Sequence, residues 1–484
     1  MSTFQGLEIA KTGLFVSQKA LEVTGHNIAN ANTPGYTRQV VDMASIAPPT
    51  TFGMYDQWGK AIGEGVKIVD IRQIRDQFLD NQYRRENKFL GEWETKAEVL
   101  SAIENIFNEP SSSGITAVLN DFFNSLQELS KNPESLTVRA EVRERAIALV
   151  DTFNTVYQHL YDKLNELNST IQSRIAEINS YAERISRLNG EIYRFELSGQ
   201  VANDLRDQRN LLVDQLSKLV NITTYEDANG NFRIDIGGQA LVSGTTAFTM
   251  SMDKNGNVIW DLTKSPVNPS SGVLKGLLDM RDGDGTNGVK GIPYYMEQWN
   301  KLAYNIAKSI NEVHSQGYGL DGSTGNLLFE GFDTSSTSTY DRTIPYAQLV
   351  KVSSAILASD GLLKIAAAKD PAALPGDNRN ALNLIALRDI PVQGLDKATF
   401  DDFARSLIAN LGVDAEQANV MKKNQEIMVK QIDLNRQSTS GVSLDEEMTN
   451  MLKYQKSYAA CARVITAMDE LIDTIINRMG IVGR

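Results

Sequence analysis

Apolar residues return at every seventh position near both ends of this chain. Near the start they are Leu7, Leu14, Leu21 and Ile28. Near the end Leu444, Met451, Tyr458, Ile465, Ile472 and Met479 form one seam position, and Met448, Gln455, Ala462, Asp469 and Ile476 form the second. A seven-residue repeat puts one side chain every two helical turns on the same face, so the face has to be covered by another helix. The ends are therefore read as heptad helices, residues 1–35 pairing with 441–484. Two such helices bury only a thin seam by themselves and make a marginal hairpin. The pattern thus favours packing between subunits over a purely intramolecular pair, with ends that order when neighbours cover them.

Start and stop signals agree with this reading. Ser2 with Gln5 and Ser443 with Glu446 have capping-box spacing, and Asp445 and Glu447 suit the positive end of a helix dipole. Asn27, Asn30, Asn32, Thr33, Pro34 and Gly35 break the first helix, because asparagine bonds its own backbone and Pro-Gly is a turn. Residues 36–71 look irregular or extended.

Between the ends the period is mostly helical. Phe153, Tyr157, Leu160, Leu164, Leu167, Ile171, Ile175, Ile178, Ala182, Ile185 and Ile192 recur in steps of mainly three and four. The run Glu109-Pro110-Ser-Ser-Ser-Gly114 separates two helices upstream of it. At Asn221 the pattern changes: Phe232, Ile234 and Ile236 alternate with polar residues, as do Phe248, Met250 and Met252, around Asn229-Gly230 and Asn255-Gly256 turns. The expected fold class is mainly α with an inserted β domain. It comprises terminal coiled-coil helices, a long helical bundle body and a small all-β outer domain. The body spans 36–220 and is completed by 290–318 and 400–440, the β insertion is 221–289, and 319–399 is a mixed second insertion.

The chemistry-bearing motifs are weak. Gly317-Tyr-Gly319-Leu-Asp-Gly322 has the spacing of a dinucleotide loop but follows a helix and precedes another turn, which reads as a plain turn. Asp282-Gly-Asp284-Gly-Thr286-Asn287 lacks the sixth-position glycine and twelfth-position glutamate of a calcium loop. His26, His159 and His314 stand singly, and Cys461 lies on a heptad helix without a basic neighbour, so it reads as a small packed residue. Glu446 and Glu447 are explained by the helix dipole. No catalytic residue, cofactor site or metal site is assigned. Net charge −12 disfavours nucleic acid. No run approaches the roughly 20 apolar residues of a membrane span, and Met1 to Phe15, with Glu8 and Lys11, does not read as a cleavable signal peptide.

His26-Asn-Ile-Ala-Asn-Ala-Asn-Thr-Pro-Gly-Tyr36-Thr-Arg-Gln39 resembles the N-terminal signature of the flagellar rod, hook and hook-associated axial proteins. Ser440-Gly-Val-Ser-Leu-Asp-Glu-Glu447, Tyr454-Gln-Lys-Ser-Tyr458 and Ala462-Arg-Val-Ile-Thr-Ala-Met-Asp469 are similar to the C-terminal signature of the hook-associated members. Asn311-Glu-Val-His314 with Gly317 to Phe329, and Gly376-Asp-Asn-Arg-Asn-Ala381, resemble internal landmarks of the same family. The resemblance implies a non-enzymatic subunit exported through the flagellar type III channel without signal cleavage. The implied partners are other copies of itself, the hook protein, the third hook-associated protein and a cytoplasmic export chaperone at the C-terminal region. It implies assembly through the residues around Asn27 to Tyr36 and through the C-terminal seam. A rod or hook protein, a secreted enzyme on an axial scaffold and a coiled-coil adhesin are the alternatives.

Overall fold

The computed structural model describes residues 3–47, 63–107, 114–227, 230–335 and 337–478. Ser2, the Glu109–Ser113 part of the upstream breaker, Asn229 of the first hairpin turn, and Met479 lie outside the described residues. The chain opens with α1 (Thr3–Ala29) and the antiparallel hairpin β1 (Gln39–Ile46) and β2 (Gly65–Gln73). Next come four helices: α2 (Gln77–Phe107), α3 (Ile115–Lys131), α4 (Leu136–Glu196) and α5 (Asn203–Leu219). The small strands follow: β3 (Thr223–Glu226), β4 (Phe232–Ile236), β5 (Gln239–Ser243), β6 (Thr246–Ala247), β7 (Met250–Met252) and β8 (Val258–Trp260). Helices α6 (Val273–Asp282) and α7 (Ile292–His314) return the chain to the bundle. A stretch of short pieces then holds β9 (Phe329–Glu330), α8 (Tyr346–Leu349), β10 (Lys351–Val352), α9 (Ser354–Leu357) and α10 (Arg379–Ala386). Helices α11 (Phe400–Ser440) and α12 (Leu444–Asp473) complete it.

Helix α4 is the spine. Its 61 residues span about 90 Å at the usual helical rise. Ser135 caps it through Val138 N, and Phe153, Leu160, Ile171, Ile178 and Ile185 are buried along one stripe. The β insertion lies along its far half: β3 to β6 form one four-stranded antiparallel sheet and β7–β8 a separate hairpin. Asn179 bonds both backbone groups of Met250, and Asn189 donates to Gly244 O. The insertion therefore shares the bundle's core instead of building one of its own. Phe232, Ile234, Val242 and Trp260 belong to the same cluster of buried residues as Phe153 and Leu216.

Several elements depart from the sequence reading. The described parts of 36–71, read as irregular or extended and placed in the helical body, belong to the paired strands β1 and β2 against α1, and the helices begin at Gln77. The 221–289 stretch is not all β, because α6 lies inside it. Leu274, Leu277 and Met280 are buried there, and Gly276 approaches so closely that a Cβ would come within 2.9 Å of Glu92 O on α2. That helix is only ten residues long, too few turns for its apolar spacing to compete with the alternation before it.

The 319–399 stretch is fixed by polar side chains of α7. Asn311 donates to Phe329 O and accepts from Leu328 N and Phe329 N. His314 is fully buried; its Nδ1 donates to Asn326 O at 2.7 Å, and its Nε2 accepts from Ala366 N at 3.0 Å. That pattern requires the neutral ring. Burial pushes its pKa down to about 4. The Gly317–Gly322 motif is a turn, with Tyr318 N bonded to Ala368 O and Gly319 N to Ser323 O. In the acidic loop, Asp284 accepts from its own turn at Thr286 and Asp282 pairs with Arg281.

Because His314 titrates lower in the folded state than in the unfolded chain, the unfolded state takes up the proton first as pH falls. The contribution is complete above about pH 6.5 and is lost progressively down to about pH 4, on the order of 3 kcal/mol in all. In urea unfolding followed by Trp fluorescence, the stability advantage of wild type over His314→Gln shrinks between pH 7 and pH 5. A constant advantage would show that His314 is not held neutral.

Candidate functional site

The two ends of the chain meet along one antiparallel pair, and small residues set its closeness. Gly6 faces Met468, where a Cβ would lie 2.7 Å from Met468 Cε, and Gly13 faces Cys461, where a Cβ would lie 2.9 Å from Sγ. Tyr454 packs on the cluster holding Ala20, and Asn27 bonds Glu447. The contacts thus repeat every seven residues on both helices, with Gly6, Gly13, Ala20 and Asn27 of α1 against Met468, Cys461, Tyr454 and Glu447 of α12. Another face of α1 carries the buried Val16 and Val23 towards the hairpin, where Val41 and Ile71 complete the cluster. Gly65, at φ +115°, lies where any side chain would strike Thr12 of α1.

At the end of this pair sits a polar node. Asn27 is 1% exposed and uses its whole hydrogen-bonding capacity. Its Nδ2 donates to Gln39 O (2.9 Å) and Glu447 Oε2 (3.0 Å), and its Oδ1 accepts from Gln39 N (3.0 Å) and Tyr36 OH (2.7 Å). Arg38 completes the other side of Glu447 through Nε at 2.8 Å, donates from Nη1 to Glu446 at 2.7 Å, and gives its backbone N–H to Ser440 O. Thr37 donates from N and Oγ1 to Asp207 on α5, which also receives Arg75 at 3.2 Å. Burial pushes Asp207 up to about 6 against the pull of these donors. Burial raises Tyr36 far above an ordinary phenol, and the nearby Asp204, Asp207 and Glu447 carboxylates raise it further. The turn itself requires Gly35, which stands at φ +80° with its missing Cβ 3.1 Å from Leu211.

The residues singled out from sequence fall into three groups. Asn27, Gly35 and Tyr36 are inside the node, and Asn30 and Thr33 brace its turn through His26 O and Asn30 Oδ1, with Asn32 and Pro34 exposed at the tip. Leu7, Leu14, Leu21 and Ile28 are half-buried beside the seam, as are Met451, Ala462, Ile465 and Ile472, with Tyr458 at its edge. Leu444, Met448 and Ile476 are exposed and do not face α1. The second seam position of α12 is thus Glu447, Tyr454, Cys461 and Met468, one residue earlier than the spacing of Met448, Gln455, Ala462 and Ile476 suggested. The N-terminal signal that sequence reading missed is the seven-residue spacing of Gly6, Gly13 and Ala20. Glu447 is an ion-pair partner buried at 2% exposure, more than a dipole companion, and Ser443 makes no side-chain capping bond while Glu446 reaches to Arg38. Among the described residues, no group of three or more His, Cys, Asp and Glu side chains is arranged to hold a metal ion, and no helix is long and apolar enough to cross a membrane.

Flagellar hook-associated protein 1 of Bacillus subtilis is 35% identical over the whole of both chains. The chain belongs to the flagellar hook-associated protein 1 family. It is a structural protein of the bacterial flagellum. The Salmonella typhimurium relative of the same name is 29% identical over 97% of this chain and 98% of its own. Residues 100–329 match the family described as flagellar hook-associated protein FlgK helical domain. The ends match separately: residues 7–37 the flagella basal body rod protein family, and 434–479 the flagellar basal body rod FlgEFG protein C-terminal family. The fold is similar to the flagellar hook junction protein FlgK from Burkholderia pseudomallei, with a TM-score of 0.61 at 16% identity over 75% of this chain and all of that one. The terminal matches enclose the node from both sides.

Removing Glu447 would leave Arg38 Nε and one of the two Asn27 donors short of a buried acceptor, which costs about 3 kcal/mol. Glu447→Ala therefore frees α12, read as faster proteolytic trimming after Ser440 while the core from α2 to α11 stays intact. Equal trimming rates in wild type and variant would refute the node's role.

Proposed function

We propose that this chain is a subunit of the junction between flagellar hook and filament, leaving the cell through the flagellar type III channel and polymerising through its terminal helices. The observation that carries this reading is the α1–α12 pair. It is locked by the Asn27–Glu447–Arg38 node, yet α12 keeps Met448, Leu452, Val464 and Leu471 exposed off the seam. Apolar side chains left open on the flanks of an already paired helix are ready to be covered by neighbours. Relatives bearing the names hook-associated and hook junction protein support the position. The hook protein on one side and the third hook-associated protein on the other are the neighbours this reading assigns, with an export chaperone holding the C-terminal region beforehand. The long helical body favours this over a rod or hook subunit.

Cells lacking the protein should carry hooks without filaments and release flagellin into the medium. Leu452→Asp, at a site 58% exposed, leaves the isolated chain folded by circular dichroism and reproduces the same bare hooks. Normal filaments in the deletion strain would overturn the assignment, and normal filaments with Leu452→Asp would remove the outer face of α12 from assembly.

A further inference from the structure

Helix α11 carries a second uncovered line that the terminal pair does not explain. Its inner face, where Phe403, Leu407, Leu411 and Ile432 are buried, packs mainly against α2. On its outer face Val413, Val420, Ile427 and Leu434 recur every seventh residue, each between 46% and 65% exposed. Midway between them stand the exposed amides Gln417, Asn424 and Gln431, completing the alternating steps of three and four that make a coiled-coil seam. Polar groups at one seam position cost stability but fix register, which suits a contact that must form in one way only.

The far half of α12 carries the complement. Val464 and Leu471 are seven apart and exposed, with the exposed Ala460 and Ala467 at the intervening seam position. Laid antiparallel, the two lines match layer by layer. Val420 meets Leu471 and Ile427 meets Val464, while Asn424 and Gln431 fall opposite Ala467 and Ala460, where a small side chain leaves room for an amide. On the flank, Lys423 faces Glu470. Neither is in an ion pair within the chain among the described residues. One heptad along, Lys430 faces Arg463 at the equivalent flank position, a like-charge pair whose long side chains must turn out into solvent.

We infer that the outer line of α11 is the docking site for the outer line of α12 of a second copy of this chain. The inference rests on the self-assembly proposed above and names the two surfaces that carry it. Because the surfaces differ, the contact is head-to-tail, and repeated head-to-tail contacts build a ring or a helical zone instead of a closed pair.

The test uses cells assembling flagella with full-length protein in a Cys461→Ala background. Ile427→Cys and Val464→Cys are introduced together and singly, and whole flagella are oxidised. The double variant should give a ladder of crosslinked oligomers, with each single variant remaining monomeric. Lys423→Glu should cut the crosslink yield on the order of tenfold, and adding Glu470→Lys should restore it. Crosslinked dimers from Ile427→Cys alone would mean that α11 pairs with itself and would overturn the inference. Filaments that assemble normally without a ladder would also overturn it while leaving the junction role standing. Filaments in the deletion strain would remove the junction role instead.

Discussion

A buried charge holds this architecture together. Glu447 is nearly inaccessible, and its two oxygens are taken by Asn27 and Arg38, residues from the far end of the sequence. An ionised carboxylate out of water is tolerable only when its partners are in place, so the node behaves as a yes-or-no condition on the meeting of the termini. Everything between residues 39 and 440 must then leave and return at one place. The hairpin, the helical body and the two inserted stretches are successive excursions from that fixed joint.

The joint also ties the terminal pair to the body. Thr37 and Arg75 converge on Asp207 of α5, while Arg436 of α11 reaches Asp214 on the same helix. Charged groups bridge the elements here, whereas further out along α4 the contacts are a continuous apolar core. The two halves of the molecule thus differ in physics: dense hydrophobic packing away from the joint, and oriented hydrogen bonds at it. Directional bonds specify one geometry, and packed aliphatic side chains supply most of the burial energy.

Exposure divides along the same line. Elsewhere the exposed large apolar residues, such as Phe78, Leu197 and Leu262, are scattered, but α11 leaves a row of them open at seven-residue spacing and α12 leaves several open off its seam. Glycines at positions 6 and 13 allow α12 to lie close on α1, so the seam closes with little apolar area and the outer residues stay available. A subunit that must remain soluble alone and still polymerise needs this separation between the contacts that fold it and the contacts that join it.

Much was legible in the sequence for a simple reason: periodicity survives without coordinates. The heptads of α1 and α12, the stripe of α4 from Phe153 to Ile192 and the alternation from Phe232 onward each repeat often enough to outweigh local noise, and the Asn27–Tyr36 segment announces its turn through residues that bond their own backbone. What the sequence could not supply was partnership. Met448 and Glu447 differ by one position, and only the helix against which α12 lies decides which of them faces inward. Short helices such as α6 and the pieces between Tyr318 and Phe400 have too few repeats to be read. They take shape from α7, whose Asn311 and His314 supply bonds from residues distant in sequence. Sequence determined which segments are helical and that the ends must be covered. Tertiary structure decided which face each presents, because burial depends on what lies opposite and not on the residue itself.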